Sequence, residues 1–434
     1  MELTLFTITD NLSIYFKTDT LGILFACLFS IIFICIAIYS RDYFHSKSHR
    51  KMFYIFLAIA WMIYMLISFA GNIVTFYVCF EFLTLSTFPM VIIDRTRESI
   101  LAALKYLFYS LAGAYCALFG LFFLCKYTDS LEFTPGGVLS AGAVSEHQSL
   151  LLVCAFLMIV GFGVKAGMFP MHAWLPTAHP VAPSPASALL SGVIVKAGIL
   201  AMIRVVFEIF GVSFLAGTWV QYTVLILAMI TILMGSMVAL GEQRLKKRLA
   251  YSTVSQLSYI IFGIFLFNQT AFAGAMLQLV SHALCKSVLF LCAGAYLVRG
   301  IEYVSDLNGI GYRMRMTTWC FIIASLGLIG IPPTLGAFAK WNLGTGSFAS
   351  GIPYVSYIGP IILIISALLT AGYLMPIATR AFFKVGPESE KCMGAKEVSR
   401  RMTLPMAFMA VLSIIVGILP TALQYMIDKM SVFF

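Results

Sequence analysis

The thirty residues GFGVKAGMFPMHAWLPTAHPVAPSPASALL, from Gly161 to Leu190, set Lys165, His172, His179 and five prolines between two apolar runs. Lys196 lies inside the next run, Glu81 sits in the middle of YVCFEFLTLSTF, and Lys286 and Lys340 lie within later apolar stretches. These residue types at these positions suit proton transfer. A buried Glu and Lys whose separation changes form a proton switch, because burial disfavours each charge and an opposite charge nearby restores both. Each ion inside a bilayer costs about 2.5–3.5 kcal/mol on insertion scales, so five of them ask for a purpose. For any one, the alternative is a structural ion pair or a lysine reaching for the interface, most plausibly Lys165 and Lys340 near run ends. Glu81 is expected to be the one carboxylate inside a span.

Histidine extends the set. His282 precedes Lys286 by four residues in SHALCKSVLF and shares a helix face with it. It suits a proton path, with a satisfied packing residue as the alternative. His172 and His179 lie in the proline-rich break, where water or ion access competes with capping freed carbonyls. The run Gln243–Arg248 before AYSTVSQLSY reads as a membrane-surface anchor.

The elements holding these groups must be helices in a bilayer. Of 434 residues, 61% are hydrophobic and 11% charged, and the mean hydropathy is +0.97. A bilayer core of about 30 Å takes about 20 apolar residues per helix, and open sheet edges are excluded there. The fold class is therefore an all-α polytopic membrane protein. Twelve runs are expected, at 20–40, 52–70, 72–93, 101–125, 149–169, 184–206, 220–240, 250–268, 272–298, 317–345, 354–380 and 403–425. No cleavable signal is expected, since Glu2 and Asp10 stand where one carries basic residues. Ten cysteines without C-x-x-C spacing read as small apolar residues. With no dinucleotide fingerprint or P-loop either, no cofactor or metal is expected, and any electron chemistry belongs to a partner.

Loop charge orients the chain. Five alternate loops hold 20 of the 28 Lys and Arg, among them Arg41, Arg95, Lys246, Arg313, Lys384, Lys391 and Arg401. The opposite side receives only Lys17, Lys126, Arg204 and Lys429. The positive-inside rule makes the first side cytoplasmic and puts both termini on the other side of the cell membrane. The second to sixth runs and the seventh to eleventh form two five-helix sets, inverted because five is odd. Each fourth run is broken, one at Lys165 and Pro170, the other at Pro332, Pro333, Gly336, Lys340 and Gly344. Paired broken segments point to a transport site. The expected units are 1–51 (N-terminal segment and first helix), 52–206 and 220–383 (the repeats), and 384–434 (cytoplasmic loop and last helix).

The segments YFKTDTLGILF, FEFLTLSTF, GVKAGMFPMHAWLPTAHPVAPSPASALLSGVIVKAG, KKRLAYSTVSQLSY, HALCKSVLFLCAG and GIPPTLGAFAKW resemble the antiporter-like membrane subunits shared by respiratory complex I, energy-converting hydrogenases and Mrp-type Na+/H+ antiporters. They cover most of residues 11–345. The resemblance implies that Glu81 and Lys165 are the coupling pair and Lys196 the connecting lysine. It places His282 and Lys286 on a central hydrophilic axis and Lys340 at the terminal position of the second broken helix. It also implies an inverted pair of five-helix units. The chain is expected to begin at the family's third helix and to lack the long lateral arm of one complex I subunit. Gln256 stands where some relatives have His.

The expected function is a proton-translocating subunit, with Na+ exchange as a second mode, inside a larger complex of membrane subunits. Complex I-like, hydrogenase and Mrp contexts share every motif quoted. No nucleic-acid partner is expected; the bilayer accounts for the surface. A carrier of organic solutes would cluster aromatic and hydrogen-bonding groups at one midplane pocket, whereas here the ionisable groups are spread over five runs. A non-pumping scaffold would tolerate neutralising all four buried lysines.

Overall fold

The computed structural model describes residues 2–9, 12–128, 130–383, 392 and 394–434. Asp10, Lys384 and Lys391, used above, lie outside the described residues. The chain opens with a hairpin of β1 (Glu2–Thr9) and β2 (Leu12–Lys17), which the expectation of helices alone missed. The rest is helical. First come α1 (Thr20–Tyr43), α2 (Lys47–Ser68), α3 (Ile73–Val91), α4 (Arg97–Tyr127), α5 (Ala141–Lys165) and α6 (Leu175–Val181). Residues 184–210 then run on continuously as α7 (Ser184–Leu189), a π segment (Leu190–Ile194), α8 (Val195–Ile203) and a second π segment (Arg204–Phe210). The short α9 (Val212–Leu215) leads to α10 (Trp219–Gly241), α11 (Leu245–Phe265) and α12 (Gln269–Leu297). After α13 (Ile310–Arg313) come α14 (Arg315–Ile329), α15 (Leu335–Ala349), α16 (Val355–Phe383), α17 (Arg400–Ile418) and α18 (Thr421–Asp428).

Each of the twelve expected runs is a helix or a broken pair of helices. Among the described residues nine helices are long and apolar enough to cross a bilayer. The other three runs fall short for identifiable reasons. Residues 184–210 are divided by π turns, α11 carries Lys246, Lys247 and Arg248 in its first turn, and α14 is separated from α15 by Gly330–Thr334. Side-chain caps set several starts: Asp19, Ser46, Asn72, Thr96, Ser140 and Asn268 each accept a bond from a backbone amide of the first turn.

The packing repeats between halves. The contacts α2 with α3, α3 with α4, α4 with α5 and α6, and α5 with α8 recur as α10 with α11, α11 with α12, α12 with α14 and α15, and α14 with α16. At the centre lies α12, buried from Ala271 to Tyr296. A helix apolar all round belongs in a core, yet this one carries Gln278, His282 and Lys286. Outer faces of α4 and α16 expose Phe108, Phe122, Ile364 and Leu368, as lipid contact requires.

Three corrections concern charge. Arg204, assigned above to an outer loop, is 1% exposed, because the helix continues through Phe210 and carries it inside. Glu208 on the same turns is 4% exposed, so Glu81 is not the one carboxylate in a span. The basic run before α11 is only partly a surface anchor. Arg244 pairs with Glu302 at 2.5 Å and Lys247 with Glu242 at 2.7 Å. Lys246 turns inward to the carbonyls of Pro180 and Ala182, and Arg248 to that of Tyr373. Seven of the ten cysteines are buried and none forms a disulfide, whereas Cys27 and Cys125 are exposed.

Candidate functional site

The first broken helix sets Lys165. α5 stops there, Gly167 turns the chain at φ +71°, and the Val164 carbonyl accepts from the Gly167 amide at 3.0 Å and from Trp174 Nε1 at 2.9 Å. Lys165 is 1% exposed and points inward: Nζ donates to Thr84 Oγ1 at 2.5 Å and lies 4.3 Å from the centre of the Phe80 ring. Both partners flank Glu81 on α3. The half-buried Glu81 and Lys165 feel each other's charge, but no hydrogen bond or ion pair of 4.0 Å or less joins them. Thr84, three residues after Glu81, is the side chain that Lys165 Nζ bonds instead. The next turn of α3 continues the polar line through Thr87, whose hydroxyl is 2.8 Å from Tyr106 Oη.

Lys196, His282 and Lys286 form a second group, and the structure brings them together. Lys196 Nζ donates to the Ser191 carbonyl. That acceptor lies in the π segment Leu190–Ile194, where regular i to i+4 bonding is interrupted. Ser191 Oγ lies 2.7 Å from Thr253 Oγ1 on α11. Thr253 donates to the Leu249 carbonyl at 2.9 Å, and Lys286 Nζ donates to that same oxygen at 2.9 Å. Two hydroxyls and two backbone carbonyls, of Ser191 and Leu249, thus lie between the two lysines. His282 is fully buried within electrostatic reach of both, and neither ring nitrogen has a partner among the described residues. His179 is likewise buried with both nitrogens unpartnered, stacked at 4.7 Å on Phe290. It feels Lys246, Lys286 and Lys196, which places it on the side of this group towards the α11 start.

A separate set of polar side chains lies on α11, α12 and α16. Gln278 Nε2 donates to Gln256 Oε1 at 2.7 Å. Tyr373 Oη, on α16, donates to Thr370 Oγ1 at 3.3 Å and lies 2.7 Å from Ser252 Oγ. Lys340, past the second break, stands apart from the other lysines. Nζ donates to the carbonyls of Leu328 and Ile329 at 2.6 and 2.7 Å and faces the Tyr259 ring at 5.3 Å. It caps the end of α14 while lining a groove of about 380 Å³ with Trp341, Gly344, Phe348 and Pro360. Among the described residues no polar bridge links Lys165 to Lys196, although Gly198 brings α8 against the Lys165 side chain, to which a Cβ there would lie 3.3 Å away.

Sequence reasoning missed Ser191 and Thr253, the bridge itself. It also missed the cluster of Arg204 with Asp19 and Glu208, for which the i,i+4 spacing of Arg204 and Glu208 was a usable signal. Among the described residues no cluster of three or more His, Cys, Asp or Glu is placed to hold a metal.

The family described as NADH:quinone oxidoreductase/Mrp antiporter, TM, matches residues 70–370. The chain is similar to NADH-quinone oxidoreductase subunit N of Desulforudis audaxviator (strain MP104C), 34% identical over 322 residues, covering 73% of this chain and 62% of the relative. It is also similar to hydrogenase-4 component B of Escherichia coli (strain K12), 30% identical over 424 residues, covering 93% of this chain and 62% of the relative. The chain thus spans about three fifths of the length of both. In fold it matches a chain of the Mrp complex from Dietzia sp. DQ12-45-1b with a TM-score of 0.85 at 20% identity, covering 99% of this chain and 86% of that one.

Proposed function

The chain belongs to the NADH:quinone oxidoreductase/Mrp antiporter transmembrane family, and from that premise we propose that it is a proton-translocating subunit of a redox-driven complex of the complex I or hydrogenase type. The observation that carries this reading is the bridge Lys196, Ser191, Thr253, Leu249 carbonyl and Lys286. It holds the two buried lysines against one cluster of hydroxyls and backbone carbonyls in the core; because the carbonyls only accept, the proton itself passes by a swing of Nζ or through water beside His282.

In this reading Glu81 and Lys165 are the coupling pair. When Glu81 nears Lys165 the lysine holds its proton, and when Glu81 is neutralised or withdraws, the proton moves on. Lys196, His282 and Lys286 pass it along the core, and Lys340 is the terminal group. The two breaks at 166–174 and 330–334 let the helix halves shift without losing backbone bonds to lipid. The repeats are taken as 52–206 and 220–383, the chain sits in the cytoplasmic membrane with both termini outside, and other membrane subunits and H+ are its partners.

A second reading, a large subunit of an Mrp-type Na+/H+ antiporter with no redox partner, is favoured by the likeness to the Mrp complex. Proton flux in proteoliposomes of the purified complex, driven by electron donor or by a Na+ gradient, separates the two. Under either driver, Glu81→Gln and Lys165→Ala are expected to lower flux by about 10²–10⁴, the contribution of a positioned proton-transfer group. Wild-type flux in both variants would refute the relay.

A further inference from the structure

Away from this axis, a second set of charges meets at the hairpin end of the molecule, where α1 begins. Arg204 Nη1 donates to both carboxylate oxygens of Glu208, at 2.9 and 2.8 Å, and to Asp19 Oδ2. The Phe133 ring covers the guanidinium at 4.9 Å. The three side chains are 2%, 5% and 32% exposed for Arg204, Glu208 and Asp19, so the set grades from core to rim. Two carboxylates on one guanidinium leave a net charge of −1. Arg204 Nε, buried, has no partner among the described residues. All three residues line a cavity of about 190 Å³ with Lys17, Lys429 and Phe433, room for several waters at the roughly 30 Å³ one occupies in the liquid.

We propose that Asp19, Arg204 and Glu208 form the port at which the translocated proton is exchanged with water on the hairpin side of the membrane, an inference that rests on the proton-translocating reading above. A proton arriving on a cavity water adds to a carboxylate oxygen of Asp19 or Glu208. That oxygen gives up its bond from Arg204, the other carboxylate stays paired, and the water is left neutral. The triad passes from −1 to 0, and release reverses the step. The second carboxylate is what can take the proton while the first keeps the guanidinium paired, and the unpartnered Nε donor suits the oxygen of a water beside it. Lys17 and Lys429 line the same cavity.

Position supports the assignment. Arg204 lies eight residues beyond Lys196 on one helix, about 12 Å of rise, with the buried apolar residues of 197–203 between them except at Gly198. π turns flank that stretch at both ends, a deviation common at functional sites. The second one is tied to the loop after α4, where the amides of Thr134, Gly136 and Val138 donate to the carbonyls of Glu208, Phe207 and Ile209.

The test uses the purified complex in proteoliposomes of known orientation, with pH varied on each side separately. Asp19→Asn keeps the helix cap that Asp19 provides to Gly22, and Glu208→Gln keeps the shape of its side chain. Both variants are expected to lower flux on the order of 10-fold, less than the 10²–10⁴ of losing a sole proton-transfer group because one carboxylate remains. Both should flatten the dependence on hairpin-side pH and leave the opposite profile unchanged, and Asp19→Glu should restore it. A purely structural triad would instead lower flux equally at every pH on both sides, which overturns the port. If Glu208→Gln does not assemble, Asp19→Asn at the rim carries the same test. A response that follows Na+ on the hairpin side rather than pH makes this a sodium site and also overturns the proposal. Lys165→Ala is the reference: if it stops transport while Asp19→Asn keeps the wild-type profile, the port is wrong and the relay stands; if it has no effect, the relay itself falls.

Discussion

The hydroxyl of Thr253 has two jobs, meeting Ser191 at 2.7 Å and sharing the Leu249 carbonyl with Lys286. Thr253→Val keeps the branched shape and removes both contacts. If each is worth about 1 kcal/mol, turnover should fall roughly thirtyfold while the purified protein keeps its melting temperature within a few degrees. Proton flux and a thermal melt on one preparation check this. The lysines and glutamate were legible in the sequence because a charge inside an apolar run stands out against its neighbours. Ser191 and Thr253 were not, since Ser and Thr in any helix can bond back to their own backbone, and nothing local says that these two face each other across α11. Thr84 was hidden for the same reason, although it lies three residues from Glu81 and holds Lys165.

The elements that position these groups depend on close backbone approach. Where α4 meets α5, a Cβ on Gly113 would lie 2.5 Å from the Gly161 carbonyl, so only glycine lets the helix bearing Lys165 sit this near. Small residues serve this purpose at helix contacts in membranes. Gly113→Val should destabilise by about 1–3 kcal/mol through overpacking, read as a lower denaturation midpoint in detergent, with flux falling as α5 is displaced. The π segments have an opposite lesson. The apolar run after Pro185 predicts a helix over 184–206, and the structure continues it to Phe210 because the ion pairs of Arg204 with Glu208 and Asp19 make a buried arginine tolerable. Arg204→Ala strands the Glu208 charge and should cost about 3–5 kcal/mol; Arg204→Leu with Glu208→Leu should recover most of it, and a double-mutant cycle of unfolding midpoints measures the difference. The two breaks were legible because Pro170, Pro332 and Pro333 interrupt apolar runs. The way each is sealed, by Trp174 Nε1 at one and by Lys340 at the other, was not, since neither partner is fixed by spacing.

For the molecule as a whole, helix count and charge asymmetry were read from hydropathy and loop charge alone, and the structure keeps all twelve runs. Moving Arg204 inside leaves Lys17, Lys126 and Lys429 on the sparsely charged side, which sharpens the asymmetry. Alkaline phosphatase fused within residues 134–138 should be active outside the cytoplasm, and fused after Gln243 inactive; the reverse pattern would turn the protein over. The N-terminal hairpin escaped notice because the polar-to-apolar alternation of a short strand is faint beside twelve long apolar runs. The central claim is that protons cross by way of the Lys196–Lys286 bridge around the buried α12. Its most direct test is proton flux per turnover by the purified complex carrying Lys286→Ala, in proteoliposomes loaded with a pH indicator. The account predicts a fall in flux of about 10²–10⁴ in protein that still assembles. Flux equal to wild type in the assembled variant would contradict it.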